Sequence, residues 1–102
     1  MRNITANAIL NLKEEPATLY VHGSIMTYHG DDKVVIKKAV PQGINPKILL
    51  LKLTIKEGAG PMKGTPKAFK YINKKPEART YKQVQILYPD SSLTIKVEVY
   101  GK

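Results

Sequence analysis

Apolar and polar residues alternate along most of this chain with a period of two, which is typical of strands that bury one face. The alternation is clearest over residues 4–13, 17–26, 48–55 and 93–100. In 48–55 the opposite face also begins with apolar residues, Ile48 and Leu50, which indicates a strand in the centre of a sheet. These four segments are therefore predicted strands.

Residues 33–40 are predicted to form a further strand, because they are rich in β-branched side chains that pack well on a pleated surface. An alternative remains open for this segment. Asp32 is a suitable N-cap for a short helix, and Pro41 would end that helix.

Two more strands are predicted towards the end of the chain. Residues 68–73 form a short strand candidate, and residues 81–88 alternate as a strand, with a helix that begins at Pro76 as the alternative. The sequence Pro-Asp-Ser-Ser at 89–92 is typical of a turn, which predicts a hairpin between the last two strands.

About seven strands, without a clear helix or a parallel crossover, predict an all-β fold class. We expect an antiparallel β-sandwich of the immunoglobulin-like class, or a small barrel. The immunoglobulin-like label describes architecture only, because the chain has no cysteine and no tryptophan. With 102 residues, the chain is expected to form one domain over 1–102.

The segment 57–67 contains three glycines and two prolines in eleven residues and predicts a long flexible loop. Long loops on a β scaffold often contact partners. We therefore take the tip of this loop as a candidate binding element, formed by Pro61, Met62 and Lys63.

Positive charge is concentrated in the middle of the chain. The net charge is +9, and thirteen basic residues but only two acidic ones lie between positions 33 and 82. Such a segment favours an acidic partner if the fold gathers the charges on one face.

Within this basic middle region, lysines and aromatic residues alternate most densely after residue 66. The candidate binding patch consists of Lys67, Lys70, Tyr71, Lys74, Lys75, Arg79, Tyr81 and Lys82. Cations next to aromatic rings are typical of proteins that bind single-stranded nucleic acid. The favoured interpretation is that these lysines are solvated on the surface and the aromatic rings are turned into the core, because lysine rather than arginine supplies nearly all of the charge.

The sequence offers few groups for catalysis. Cysteine chemistry is excluded, and His22 and His29 have no evident partner that would orient them as a base. A metal site made of both histidines with Asp31 and Asp32 lacks a ligand-spacing motif, so these two carboxylates are interpreted as turn residues that bond nearby backbone. We predict no enzyme activity, no catalytic residue, no metal site and no cofactor.

The leading functional hypothesis is a small, soluble, non-catalytic domain that binds another protein or an acidic surface through the basic middle region and the 57–67 loop. One alternative is binding of single-stranded nucleic acid. Another is a structural subunit that forms homo-oligomers through edge strands, with the two terminal strands at the sheet edges. No signal peptide or transmembrane segment is visible, so a cytoplasmic location is the default expectation.

Overall fold

A computed structural model describes residues 3–89 and 91–101. In these residues the chain forms seven strands and one short 3₁₀ helix. The elements are β1 Ile4–Asn11, β2 Thr18–His29, β3 Lys33–Lys38, β4 Ile48–Lys56, β5 Met62–Asn73, the 3₁₀ helix Pro76–Arg79, β6 Gln83–Tyr88 and β7 Ser91–Tyr100. The predicted all-β class with about seven strands is confirmed.

The seven strands form one sheet in the order β3-β4-β6-β7-β1-β2-β5. The sheet is mixed, because β1 runs parallel to β7 and β4 runs parallel to β6, whereas all other neighbours are antiparallel. The two terminal strands pair with each other in the interior of the sheet, so the expectation that they form its edges is wrong. The edges are β3 and β5, which contact each other and leave the sheet as a nearly closed barrel.

The two segments with open alternatives are now assigned. Lys33–Lys38 is a strand, because its antiparallel pairing with β4 turns Val34 and Ile36 towards the core. In the segment 76–88 the strand prediction is confirmed, and the helix alternative is reduced to one four-residue 3₁₀ helix. Proline at the first position favours the 3₁₀ helix Pro76–Arg79, and β6 then follows as the predicted strand. The predicted hairpin of the last two strands is confirmed by the antiparallel pairing of β6 with β7.

The hydrophobic core lies inside the curved sheet and is built from the alternating positions of each strand. Leu49, Leu51 and Leu53 of β4 are almost completely buried, as a central strand requires. The other strands contribute buried side chains with the same period of two, among them Ala8, Leu10, Leu19, Val21, Ile25, Phe69, Val84, Ile86 and Val97. Burial of this single apolar face is the main stabilising contribution.

The segment 57–67 is divided between two structures. Residues 57–61 connect β4 to β5, whereas residues 62–67 belong to β5 and pair with β2. Pro66 lies opposite Met26 in this ladder. Proline lacks an N–H group, and it is tolerated here because β5 is an edge strand.

The strand directions define two ends of the barrel. At the upper end lie the turn 30–32 and the connection 57–61. At the lower end lie the connections 12–17, 39–47 and 74–82. Strand β5 runs from the upper end to the lower end over twelve residues, which corresponds to about 35–40 Å at the usual rise per residue.

Core burial generates a matched test with two isoleucines. Ile25→Ala removes a completely buried side chain and should lower the free energy of unfolding by about 2–5 kcal/mol. Ile44→Ala, at a fully exposed site, should change it by less than about 0.5 kcal/mol. Urea denaturation followed by circular dichroism measures both, and equal effects of the two substitutions would contradict this description of the core.

Candidate functional site

The structure distributes the predicted binding patch over the length of the barrel. Lys67 lies near the upper end, where its Nζ donates a hydrogen bond of 2.7 Å to the Gly30 carbonyl. Lys70 is on the outward face of β5. The remaining basic members, Lys74, Lys75, Arg79 and Lys82, lie in the connection 74–82 at the lower end. The tip residues Pro61, Met62 and Lys63 lie at the upper end near Lys67, and almost the full length of β5 separates them from the four basic members at the lower end.

The two aromatic members of the patch are packed against the protein. Tyr81 is in the core and only 7% exposed, and Tyr71 is partly buried on the inward side of β5. Burial raises the pKa of the Tyr71 phenol above its ordinary value. Neither ring presents an open face on which a base would stack.

One basic residue beside the patch is paired with an acid. Lys38, at the end of β3, places its Nζ 3.1 Å from Oε1 of Glu77 in the 3₁₀ helix. The hydrogen bond to Glu77 raises the pKa of Lys38. Both side chains are more than a third exposed, so solvent screens the pair, and its role is to link β3 to the 3₁₀ helix at the lower end.

The connection 57–61 is held by two carboxylates from the turn after β2. Oδ1 of Asp32 accepts a hydrogen bond of 2.7 Å from the Gly58 N–H. Asp31 accepts hydrogen bonds from the N–H groups of Ala59 and Gly60 at 3.1–3.2 Å. A Cβ atom at Gly58 would overlap the Asp31 carboxyl group, so glycine is required for this close approach.

Asp32 also performs the predicted turn role. Its Oδ2 accepts hydrogen bonds from the backbone N–H groups of Tyr28 and His29 at 3.2 and 3.0 Å. The Asp32 carboxylate is therefore shared between its own turn and a connection 26 residues later. The sequence predicts the first set of bonds but gives no sign of the second, because nothing local places 57–61 beside the turn.

The two histidines lie apart. Nδ1 of His29 is 3.3 Å from Oδ1 of Asp32, whereas His22 is exposed in the middle of β2, opposite Asn7 and Lys70. Within residues 3–89 and 91–101, no group of three or more histidine, cysteine, aspartate or glutamate side chains is arranged to hold a metal ion.

The strongest electrostatic feature is a group of four lysines on the outer face of β3 and β4, which we call the lysine face. Lys33 lies directly opposite Lys56, and Lys37 lies directly opposite Lys52. All four are exposed, and the outward pair between them, Val35 and Thr54, is uncharged. Like charges opposite each other on antiparallel strands are destabilising.

None of the four residues of the lysine face belongs to the binding patch that the sequence predicts. The only sequence signal of the lysine face is the spacing of four residues within each strand, which places Lys33 with Lys37, and Lys52 with Lys56, on one side. The pairing of the two strands depends on their register, which alternation does not specify. Because β3 contacts β5, the outward Lys70 of β5 borders the same surface.

Comparison with known proteins adds no assignment to this geometry. No protein-family model, curated protein or solved structure matches the chain. In the described part of the chain, no helix is long and apolar enough to cross a membrane.

The Asp32 site predicts how stability depends on pH. The hydrogen bond from Gly58 holds the pKa of Asp32 below its ordinary 3.8, although burial acts in the opposite direction. Because the folded state favours the carboxylate, this stabilisation is fully present above about pH 4 and is lost as the pH falls through the lowered pKa. Chemical denaturation at several pH values should show that Asp32→Asn is less stable than the parent at neutral pH and loses less stability on acidification.

The neighbouring exposed carboxylate provides the control for this experiment. Glu57→Gln removes an acidic group next to the same connection and should retain the pH profile of the parent. A parent-like profile for Asp32→Asn would show that the Asp32 hydrogen bonds do not stabilise the fold.

Proposed function

We propose that the protein is a non-catalytic binding module that engages an acidic protein surface through the lysine face and the adjoining tip 61–63. The observation that carries this proposal is the register of β3 and β4, which places two lysines opposite two others on one exposed face. Lys56 is the last residue of β4, so the connection 57–61 begins directly at the upper edge of the lysine face. Met62 beside it is 78% exposed and adds an apolar contact.

Protection of a sheet edge explains only half of the lysine face. Lysines on an edge strand discourage aggregation, and this argument applies to Lys33 and Lys37 of β3. It does not apply to Lys52 and Lys56, because β4 lies between β3 and β6 and has no free edge. Opposed like charges are destabilising on an interior strand as well. The carboxylates of a bound acidic partner would offset that repulsion, because each lysine would then have an opposite charge nearby.

Single-stranded nucleic acid fits this surface less well. The outward residues of β3 and β4 are lysine, valine, threonine, leucine and isoleucine, so the lysine face includes no aromatic ring for base stacking. The arginine content is also low, with Arg2 and Arg79 as the two arginines of the sequence. Acidic side chains of a protein partner require neither stacking nor planar recognition.

Self-association through the lysine face is disfavoured by charge. A second copy would present the same lysines, and the repulsion between two such faces would oppose contact. The partner of this face is therefore expected to be a different, acidic molecule.

The proposal is tested with fluorescein-labelled polyglutamate as an acidic probe, by fluorescence anisotropy near physiological salt. The variant combines Lys33→Gln, Lys37→Gln, Lys52→Gln and Lys56→Gln, and it should bind the probe at least about tenfold more weakly. The same variant should be at least as stable as the parent, because two repulsive contacts are removed. Urea denaturation measures this second effect.

The matched control neutralises the four basic residues outside the middle region, Arg2, Lys13, Lys96 and Lys102, with the same change in net charge. It should retain binding to within about twofold, whereas an equal loss in both variants would mean that only net charge matters. A labelled single-stranded oligonucleotide is the competing probe. If it binds more tightly than polyglutamate through the same four lysines, the acidic-protein proposal is overturned.

A further inference from the structure

The connection 39–47 at the lower end carries the two most exposed large hydrophobic side chains in the described residues. Val40 and Ile44 have relative exposures of 93% and 104%. Single exposed aliphatic side chains are common on protein surfaces. Here two of them lie four residues apart on one connection, and we call Val40 and Ile44 the apolar pair.

This connection is held in place by an internal side chain. Gln42 uses its amide to continue the sheet, because Nε2 donates to the carbonyl of Leu50 at 2.9 Å and Oε1 accepts from the N–H of Leu50 at 3.0 Å. Nε2 also donates to the carbonyl of Ala39 at 2.6 Å. With Gln42 turned inwards, Val40 and Ile44 on either side are directed to solvent.

Several basic residues lie at the same end of the barrel as the apolar pair. The backbone N–H of Lys82 donates to the carbonyl of Lys47 at 2.7 Å, which brings the connection 39–47 beside the connection 74–82. Val40 also shares a shallow cleft with Lys52. The basic residues in this part of the lower end are Lys38, Lys47, Lys74, Lys75, Arg79 and Lys82.

Acidic residues at the lower end are few. Glu77 lines the same shallow cleft as Ile44, and its carboxylate is paired with the Lys38 ammonium. Glu14 and Glu15 belong to the connection between β1 and β2, which is on the opposite side of the barrel from β3 and β4. Glu14 accepts hydrogen bonds from the Tyr20 hydroxyl.

We propose that the lower end of the barrel docks on an anionic lipid surface. Val40 and Ile44 enter the boundary between headgroups and acyl chains, and the lysines at the same end contact the anionic headgroups. This inference goes beyond the proposed function, because it uses Val40 and Ile44 at the lower end. The two surfaces meet at Lys52, which borders Val40.

The apolar pair favours lipid over a protein pocket as the occupant. The buried centre of a protein interface is enriched in aromatic residues, and Val40 and Ile44 bring no aromatic ring. Lysines spread over several elements suit a fluid anionic surface, since the headgroups rearrange to meet them and no fixed geometry is needed.

Co-sedimentation with vesicles tests the proposal. The parent should bind phosphatidylcholine vesicles that contain about 30% phosphatidylserine and should not bind pure phosphatidylcholine. The double variant Val40→Ser and Ile44→Ser should bind the anionic vesicles at least about tenfold more weakly. The matched control, Ile9→Ser with Val99→Ser, changes one isoleucine and one valine that line one shallow cleft on β1 and β7, and it should bind as the parent does.

A fluorescent reporter distinguishes insertion from simple charge attraction. The chain has no tryptophan, so Ile44→Trp introduces a single probe at the proposed contact. Its emission should shift to shorter wavelength when anionic vesicles are added, whereas that of Thr5→Trp, at an exposed site on β1, should not shift. Absence of vesicle binding, equal binding by the Val40 and Ile44 double variant, or an unshifted Ile44→Trp spectrum would each overturn the proposal.

Discussion

The fold depends on the burial of one apolar face of a single seven-stranded sheet, which requires its edges β3 and β5 to approach each other. Backbone ladders join the other neighbours, but side-chain contacts fasten this seam at its two ends. At the upper end Asp32 binds the N–H of Gly58, and at the lower end Lys38 binds Glu77. Polar side chains in a turn and at a strand end, which the sequence does not mark as structural, therefore help to complete the barrel.

Closure of the sheet into a barrel also determines on which surface the lysine side chains lie. Every strand turns one set of alternating positions inwards, so its lysines are left on the outside. Because the edges are limited to β3 and β5, lysines on β4 are not needed to protect an edge. Their position opposite the lysines of β3 is unfavourable for the isolated protein, which is why a binding role explains the lysine face better than solubility does.

The strands and their buried faces were predictable from the sequence, and the site was not. Leu49, Leu51 and Leu53 follow a local period, and a local period is sufficient to assign a buried face. Register and neighbour order depend on contacts between distant segments. For this reason the sequence does not indicate that Lys37 lies opposite Lys52, and it does not specify that β1 pairs with β7.

The same limit applies to individual side chains of the predicted patch. In the sequence, Tyr81 stands among basic residues, as a base-stacking tyrosine would. In the structure its ring is buried in the hydrophobic core. Gln42 looks like an ordinary polar loop residue, and its amide instead continues the ladder of β4. In both cases burial and hydrogen bonding from other segments decide the role.

The core and the two candidate surfaces use different residues, so each surface is open to change without loss of the fold. The side chains that stabilise the protein point inwards from the strands. The lysine face points outwards, and Val40 and Ile44 project from a connection whose own attachment is made by Gln42. Neither the exposed aliphatic pair nor the opposed lysines stabilise the isolated chain, so the two proposed binding roles offer a reason for these groups that packing does not.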